Sequence, residues 1–326
     1  MRRGFSCDLL DNVRRGILPM LIGCAGLMTA PAQVHFNRQP DSIAVEISGR
    51  PFTTFYFGPS TPKPYLHPLL SASGQRLTRL YPMETTEPGS RDHPHQRGLW
   101  ITHGDVNGVD FWANETEQRQ GKQGLIVLRE IRDVQDGPEK GVIWAVFEWR
   151  DPAGQVLLIE DRTMFFSGDG PVRTIDFDVT LHAVTQVVFG DTKEGFFALR
   201  LRDELSELTG TGKMTNAAGQ TGMALIWGHR SPWVDYSGTL DGRAVGIAIF
   251  DHPANSTYPT WWHARDYGLF AANPFGERDF TGDKTKDGSL TLAPGQSVRF
   301  RYQLFIHPGN TAQANVAAAY HAWSGE

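Results

Sequence analysis

From Asp41 onward, hydrophobic residues recur mostly at every second position. Ile43, Val45 and Ile47 alternate with Ala44 and Glu46. Ile175, Phe177, Val179 and Leu181 alternate with Asp176, Asp178 and Thr180, and Val298, Phe300, Tyr302 and Leu304 with Arg299, Arg301 and Gln303. A strand turns successive side chains to opposite faces, so this period predicts strands with one face buried. Further strands are expected over 52–57, 76–81, 125–131, 142–149, 156–166, 195–202, 223–227, 244–250, 268–272 and 289–293. Turn-forming groups separate them, among them Asp136-Gly137-Pro138, Pro152-Ala153-Gly154, Asp169-Gly170-Pro171, Asp241-Gly242, Asp287-Gly288 and Pro294-Gly295. Frequent strands joined by short turns predict an all-β fold, one large antiparallel β-sandwich of roughly fifteen strands. No repeat of fixed period suggests a propeller, and no low-complexity linker divides residues 33–326. One C-terminal helix is expected over Ala312–Trp323. Asn310 or Thr311 can cap it, and Val316, Tyr320 and Trp323 share a face at i, i+4 and i+7.

The N-terminus has a different pattern. Arg14 and Arg15 precede the apolar run Ile17–Met28, and Ala30-Pro31-Ala32 follows with the small-residue form of a signal-peptide cleavage site. The run is short for a membrane span and is interrupted by Pro19 and Gly23. Residues 1–32 are therefore expected to be a removable signal peptide. Leu21-Ile22-Gly23-Cys24 also has lipobox form, which makes a lipid anchor at Cys24 the second reading. Cys7 and Cys24 are the two cysteines of the chain, so the processed protein would lack both disulfides and thiolate chemistry. Together these features point to a periplasmic or secreted protein. Loss of four Arg and two Asp with the leader moves the net charge from −5 to −7. A mildly acidic chain with no basic stripe argues against nucleic-acid binding, and no later run reaches membrane-spanning length.

Candidate chemistry concentrates in three stretches. The first is Asp92–Trp112, which holds His93, His95, His103, Arg97, several aspartates and glycines, and two tryptophans. So many ionisable groups argue against a core strand and for a pocket wall, because buried polar groups are costly unless paired. His93 and His95 flank Pro94. In an extended segment they would point to one side and could bind a divalent metal with His103 as a third ligand. Hydrogen bonding to a ligand or to turn carbonyls is the alternative role. Arg97 suits either a ligand oxygen or a structural carboxylate partner. The second stretch is Gly190-Asp191-Thr192-Lys193-Glu194-Gly195, a charged tip between the apolar runs Val187–Phe189 and Phe196–Leu201. It is either a solvated hairpin or a rigid mount for an acid or base. The third runs from Asp251-His252-Pro253-Ala254-Asn255 to Pro259–Gly268, where Trp261 and Trp262 precede His263, Arg265, Asp266 and Tyr267. Aromatic rings beside hydrogen-bonding groups suit sugars, and alternation turns one of the two tryptophans away from any pocket. Lys63-Pro64-Tyr65-Leu66-His67-Pro68 can add Tyr65 or His67 to the same cavity. The chain has no G-x-S-x-G, Walker A, G-x-G-x-x-G or H-E-x-x-H motif.

Lys63–Pro68, Asp92–Trp112, Phe189–Leu201, Gly228–Tyr236 and Asp251–Phe275 together resemble a bacterial family labelled "methane oxygenase PmoA", also treated as a domain of unknown function. A membrane monooxygenase subunit needs several long apolar spans, and this chain has none. The resemblance implies an exported β-sandwich whose relatives occur beside sugar-processing enzymes. The layout is also loosely similar to the mutarotase-like supersandwich, where His and Glu act as acid and base on a sugar ring.

Three classes of function follow from these residues. The first is a carbohydrate-active enzyme acting on a glycoside or an oxidised (keto) sugar as hydrolase, lyase or epimerase. Glu194 or Asp191 would be the base, His95 or His263 the acid, and Arg97 and Lys193 would stabilise an oxyanion. The second is a non-catalytic sugar-binding protein using the same pocket. The third is a cell-envelope protein whose polar stretches are only loops. The expected partner is a small-molecule carbohydrate. No cofactor is firmly implied beyond the divalent metal that His93, His95 and His103 could hold. The expectation with most structural content is that His93, His95, His103, Asp191, Lys193, Glu194, His252, Trp262 and His263 converge on one cavity.

Overall fold

Alternation of buried and open positions runs through long strands of the chain, and two large sheets result. The computed structural model describes residues 33–85, 88–118 and 120–325. The leader and the lipobox cysteine lie outside the described residues. In chain order the strands are β1 (Val34–Arg38), β2 (Ser42–Ile47), β3 (Arg50–Tyr56), β4 (Tyr65–Leu66), β5 (Leu99–His103), β6 (Leu125–Gln135), β7 (Lys140–Arg150), β8 (Val156–Ser167) and β9 (Arg173–Ala183). They continue with β10 (Val187–Phe189), β11 (Gly195–Arg200), β12 (Lys213–Asn216), β13 (Trp233–Leu240), β14 (Arg243–Asp251), β15 (Trp261–Ala264), β16 (Leu269–Asn273), β17 (Leu290–Leu292) and β18 (Ser297–Pro308). The α-helices among the described residues are α1 (Met223–Ile226), α2 (Glu277–Thr281) and α3 (Val316–Ser324).

The first sheet has the order β1-β2-β3-β4-β5-β11-β16-β15 and the second β12-β13-β14-β18-β9-β8-β7-β6, all neighbours being antiparallel. A small β10-β17 pair stands apart from both sheets. Aromatic side chains from the two large sheets meet between them. Phe55 packs edge-on against Phe147 at 6.0 Å, Phe52 against Phe166 at 6.3 Å, and Phe197 stacks on Tyr302 at 4.8 Å. This is a large antiparallel β-sandwich with a helix at the C-terminus, as the hydrophobic pattern predicts. In β9 every second residue is buried and the residues between are half-buried, so one face forms the core.

Four local expectations are corrected. Within 223–227, Met223–Ile226 form the one-turn helix α1 rather than a strand, and Leu225 is left exposed. Residues 76–81 make only isolated bridges, Arg76 with Leu70 and Thr78 with Leu201. The C-terminal helix starts at Val316, because Asn310 caps a preceding turn through Oδ1 to the Ala312 and Gln313 amides and Asn315 takes a left-handed conformation. Finally, Leu99–His103 is a fully buried central strand that includes His103, while the other ionisable residues of its stretch lie on either side of it.

Candidate functional site

β5, β11 and β16 are buried at every position, so the outer face of the first sheet is covered as well as the inner one. Strand register lays a single row across that outer face. Tyr65 stands opposite Trp100, Trp100 opposite Ala198, Ala198 opposite Ala271, and Ala271 opposite His263. The two alanines at the centre leave a depression between larger neighbours. The chain leaving β5 turns back over it and places Trp112 against Ala198 and Ala271. The Trp112 ring lies 5.3 Å from Trp100, 6.1 Å from His95 and 6.4 Å from His263, nearly parallel to the last.

Beside Trp112 opens a cleft of about 470 Å³. His93, His95 and Gln96 wall one side, and Asp110, Trp112, Ala113 and Gly104 form the floor. Lys193 and Glu194 project from the charged tip, and His263, Arg265 and Tyr267 follow from β15. Gly104 is required by close approach, since a Cβ there would stand 2.8 Å from that of Glu194. Asp110 holds the floor in shape by accepting the Trp112 and Ala113 amides on Oδ1, at 2.8 and 2.9 Å. Beneath the floor the fully buried Lys63 donates to the Trp112 carbonyl at 2.9 Å and to Asn114 Oδ1 at 2.7 Å.

The electrostatics of the cleft follow from burial. Desolvation, reinforced by Lys63 and His93, brings the His95 imidazole down to about 3. Desolvation also brings His263 down to about 3, although its hydrogen bond to a backbone carbonyl opposes the shift. Both rings are therefore neutral near pH 7. His263 Nδ1 donates to the Lys193 carbonyl at 2.8 Å, which leaves the lone pair on Nε2. His95 Nδ1 accepts from the Gln118 amide at 3.0 Å, which leaves the proton on Nε2. The two histidines thus offer the cleft an acceptor and a donor. Burial pushes the Asp110 carboxyl upward against its two backbone hydrogen bonds, and Glu194 adds to the rise. Glu194 pairs with Lys193 at 3.0 Å, both side chains being more than a third exposed. His93 stacks on Tyr267 at 5.3 Å and bonds Asp92 at 2.7 Å. Burial would raise Asp92, yet Arg200, the His93 hydrogen bond and Arg79 bring it down to about 2.

His93, His95, Lys193, Glu194, His263, Arg265 and Tyr267 therefore share one cleft, and several other candidates do not. His103 is fully buried, its Nε2 donates to the Gly190 carbonyl at 2.7 Å, and its ring packs edge-on against Phe275. Asp191 accepts the amides of Arg278 and Gly288, fixing the tip to the segment that carries α2. His252 packs edge-on against Trp323 and accepts the Ala254 amide. Trp262 is a core residue that donates to the Ser231 carbonyl and stacks on Phe270, while Trp261 turns the other way onto Phe280. Tyr65 stacks on Tyr56 beneath Arg97, which forks onto Glu115 at 2.8 and 2.6 Å. His67 is buried beside Thr78, and the Asp266 carbonyl accepts from the Leu208 amide and the Tyr236 hydroxyl.

The metal geometry differs from expectation too. His93 has a φ of 45° and accepts the Gln96 amide on its carbonyl, so the segment is a turn in which the His93 and His95 rings meet edge to face at 80°. Among the described residues, no group of three or more His, Cys, Asp or Glu is placed to hold a metal ion. Asp110, Gln96 and Lys63 had not been singled out from the sequence. The signal for Asp110 is the Asp-Phe-Trp-Ala order, in which an Asx turn ties the carboxylate to the backbone of an apolar segment.

Residues 42–321 match the model of a family of unknown function, DUF6807. The chain belongs to that family. No curated protein sequence matches it. Among solved structures it is similar to an α-galactosidase from Lactobacillus brevis, with 10% identity, a TM-score of 0.40, and coverage of 86% of this chain and 40% of that one. It is similar as well to a galactose 1-epimerase from Lactobacillus acidophilus NCFM, with 9% identity, a TM-score of 0.40, and coverage of 86% and 100%. A galactose mutarotase-like protein from Clostridium acetobutylicum gives 10% identity, a TM-score of 0.38, and coverage of 85% and 99%. The DUF6807 family is described by its unknown function, so the reading of this member rests on its own cleft.

Proposed function

We propose that this DUF6807 protein is a carbohydrate-active enzyme that performs acid–base chemistry on a sugar in the Trp112 cleft. The observation that carries the reading is the set of groups facing one space: a carboxylate at Glu194, a carboxyl pushed upward at Asp110, and two neutral histidines presenting opposite hydrogen-bonding nitrogens. Sugars offer hydroxyls that need both donors and acceptors, and such a set meets both needs.

Glu194 is the base and takes a proton from the substrate or from an attacking water. Asp110 is assigned the acid role, since burial pushes its carboxyl upward against the two amides that its Oδ1 accepts. His95 and His263, neutral near pH 7, orient and polarise substrate oxygens; they do not act as imidazolium acids. Lys193 offsets negative charge that develops on oxygen. Hydrolysis, elimination and epimerisation all begin from this arrangement of one base and one acid.

The test is turnover of a panel of glycosides, keto-glycosides and free aldoses, followed by product analysis, with Glu194→Gln as control. Turnover that the substitution abolishes supports the reading. Ligand-induced stabilisation without turnover would make the protein a sugar-binding module, and absence of both would leave only a cell-envelope scaffold. The same proposal places the protein outside the cytoplasm after removal of residues 1–32. N-terminal sequencing of protein recovered from a bacterial host checks this, and an intact Arg14–Ala32 segment would refute it.

A further inference from the structure

One cation of the cleft has no ion-pair partner among the described residues. Lys193 is neutralised by Glu194 at 3.0 Å. Arg200, behind Tyr267, pairs with Asp92 at 2.9 Å, a carboxylate it shares with Arg79, and Arg97 pairs with Glu115. Arg265 differs from all three. It lines the cleft, and among the described residues its side chain makes no hydrogen bond and no ion pair; Nε has no partner, and the guanidinium rests 5.7 Å from the Tyr267 ring. A buried guanidinium donor without a partner is costly in the free protein, which points to a ligand that supplies the missing acceptor, and an anion is the strongest acceptor for a cation. Its planar donors match a carboxylate in the geometry that Arg97 already uses with Glu115 in this same molecule.

We propose that the substrate is a sugar acid, a hexose derivative whose ring-borne carboxylate pairs with Arg265 while the ring hydroxyls meet His95, His263 and Glu194. The proposal rests on the sugar reading of the cleft and narrows it to one charge class. Tyr267 has a positioning role. Stacked on His93 at 5.3 Å and close to both Arg200 and Arg265, it fixes the plane against which the guanidinium lies.

The experiment compares two pairs of probes that differ only at C6, methyl glucuronide against methyl glucoside and methyl galacturonide against methyl galactoside. Affinity is measured by calorimetry or ligand-observed NMR on the full protein and on Arg265→Gln and Arg265→Lys. The acid of at least one pair is expected to bind tenfold or more tightly than its neutral partner. Arg265→Gln should remove that advantage while neutral-sugar affinity stays within about twofold, and Arg265→Lys should keep part of it. Added salt should weaken the acid and leave the neutral sugar unchanged. Equal binding of acid and neutral sugar, or a preference that survives Arg265→Gln, overturns the proposal and leaves the sugar reading standing. Acetate competing as well as the uronide overturns it by making the site a general anion site. Absence of binding by all four glycosides overturns it as well, and an empty turnover panel then removes the broader reading.

Discussion

Glu115→Gln tests the buried charges beneath the cleft floor. Glu115 is 5% exposed in its side chain, forks onto Arg97 and lies 3.8 Å from Lys63, whose side chain is fully buried. At that distance and an effective dielectric of about 20, the Lys63–Glu115 attraction is about 4 kcal/mol. Removing one partner of a buried pair costs about 3–5 kcal/mol, because the remaining charge is left uncompensated. Lys63 limits the loss by shedding its proton: desolvation already brings it down from 10.5 to about 7, and Glu115 is the largest influence holding it up. The pH dependence has a definite sign. In the variant the folded-state Lys63 falls below 7, so between its new value and about 7 the unfolded variant binds a proton that the folded one does not, whereas the wild type binds it in both states. The stability gap between variant and wild type should therefore be widest near pH 5, shrink as pH rises to about 7, and stay constant above that. Urea unfolding at pH 5, 6, 7 and 8 reads this gap directly. Adding Lys63→Met to Glu115→Gln should cost less than the sum of the single changes by more than about 1 kcal/mol, since the second substitution removes the charge stranded by the first. Additive losses, or a gap that widens as pH rises, would refute the reasoning.

Glu194→Gln should reduce turnover by about two to four orders of magnitude while changing stability by less than about 1 kcal/mol, because its pair with Lys193 is well solvated; a large drop in melting temperature would make the residue structural. His95 and His263 at about 3, and His67 and His103 at about 4, all lie below their unfolded value of 6.5. The unfolded chain thus takes up protons first, and stability present above pH 6.5 is lost as pH falls toward 3, by about 2 kcal/mol per ring at pH 5. Chemical unfolding at pH 7 and 5 measures this, and equal stability at the two would contradict it. Gly98→Ala should destabilise by at least about 2 kcal/mol, because φ is +49° and a Cβ would stand 2.1 Å from the Leu66 carbonyl oxygen; thermal unfolding within a degree or two of wild type would count against the backbone geometry next to β5.

Legibility in the sequence followed burial. β2, β8 and β9 alternate because one face is core and the other is more open, and their period of two is visible without any structure. β5 and β11 are buried on both faces, so Leu99–His103 shows no alternation and its flanking histidines and aspartates disguise a central strand as a loop. The layer that covers the outer face of the sheet hides the period, since it supplies the second buried face. Met223–Ile226 fails for a different reason. A short apolar run fits a buried strand or a turn of helix equally well, and only its surroundings decide.

The site itself was legible by the same energetic reasoning, up to a definite point. Ionisable groups set beside large apolar ones need compensation, and a shared cavity supplies it for His93, His95, Lys193, Glu194 and His263. A cavity is not the compensation in every case. His103 is satisfied by the Gly190 carbonyl, Asp191 by two amides, and His252 by a turn amide within its own segment. Arg97 is satisfied by Glu115, eighteen residues along, through a loop that also returns Trp112 to the sheet. A backbone partner leaves no mark on residue identity, so a histidine held by a carbonyl and a histidine facing a substrate look alike in sequence. What separates them is register: His263 shares the outer face with Ala271 and Ala198, and that row of small residues makes room for Trp112 and the cleft beside it.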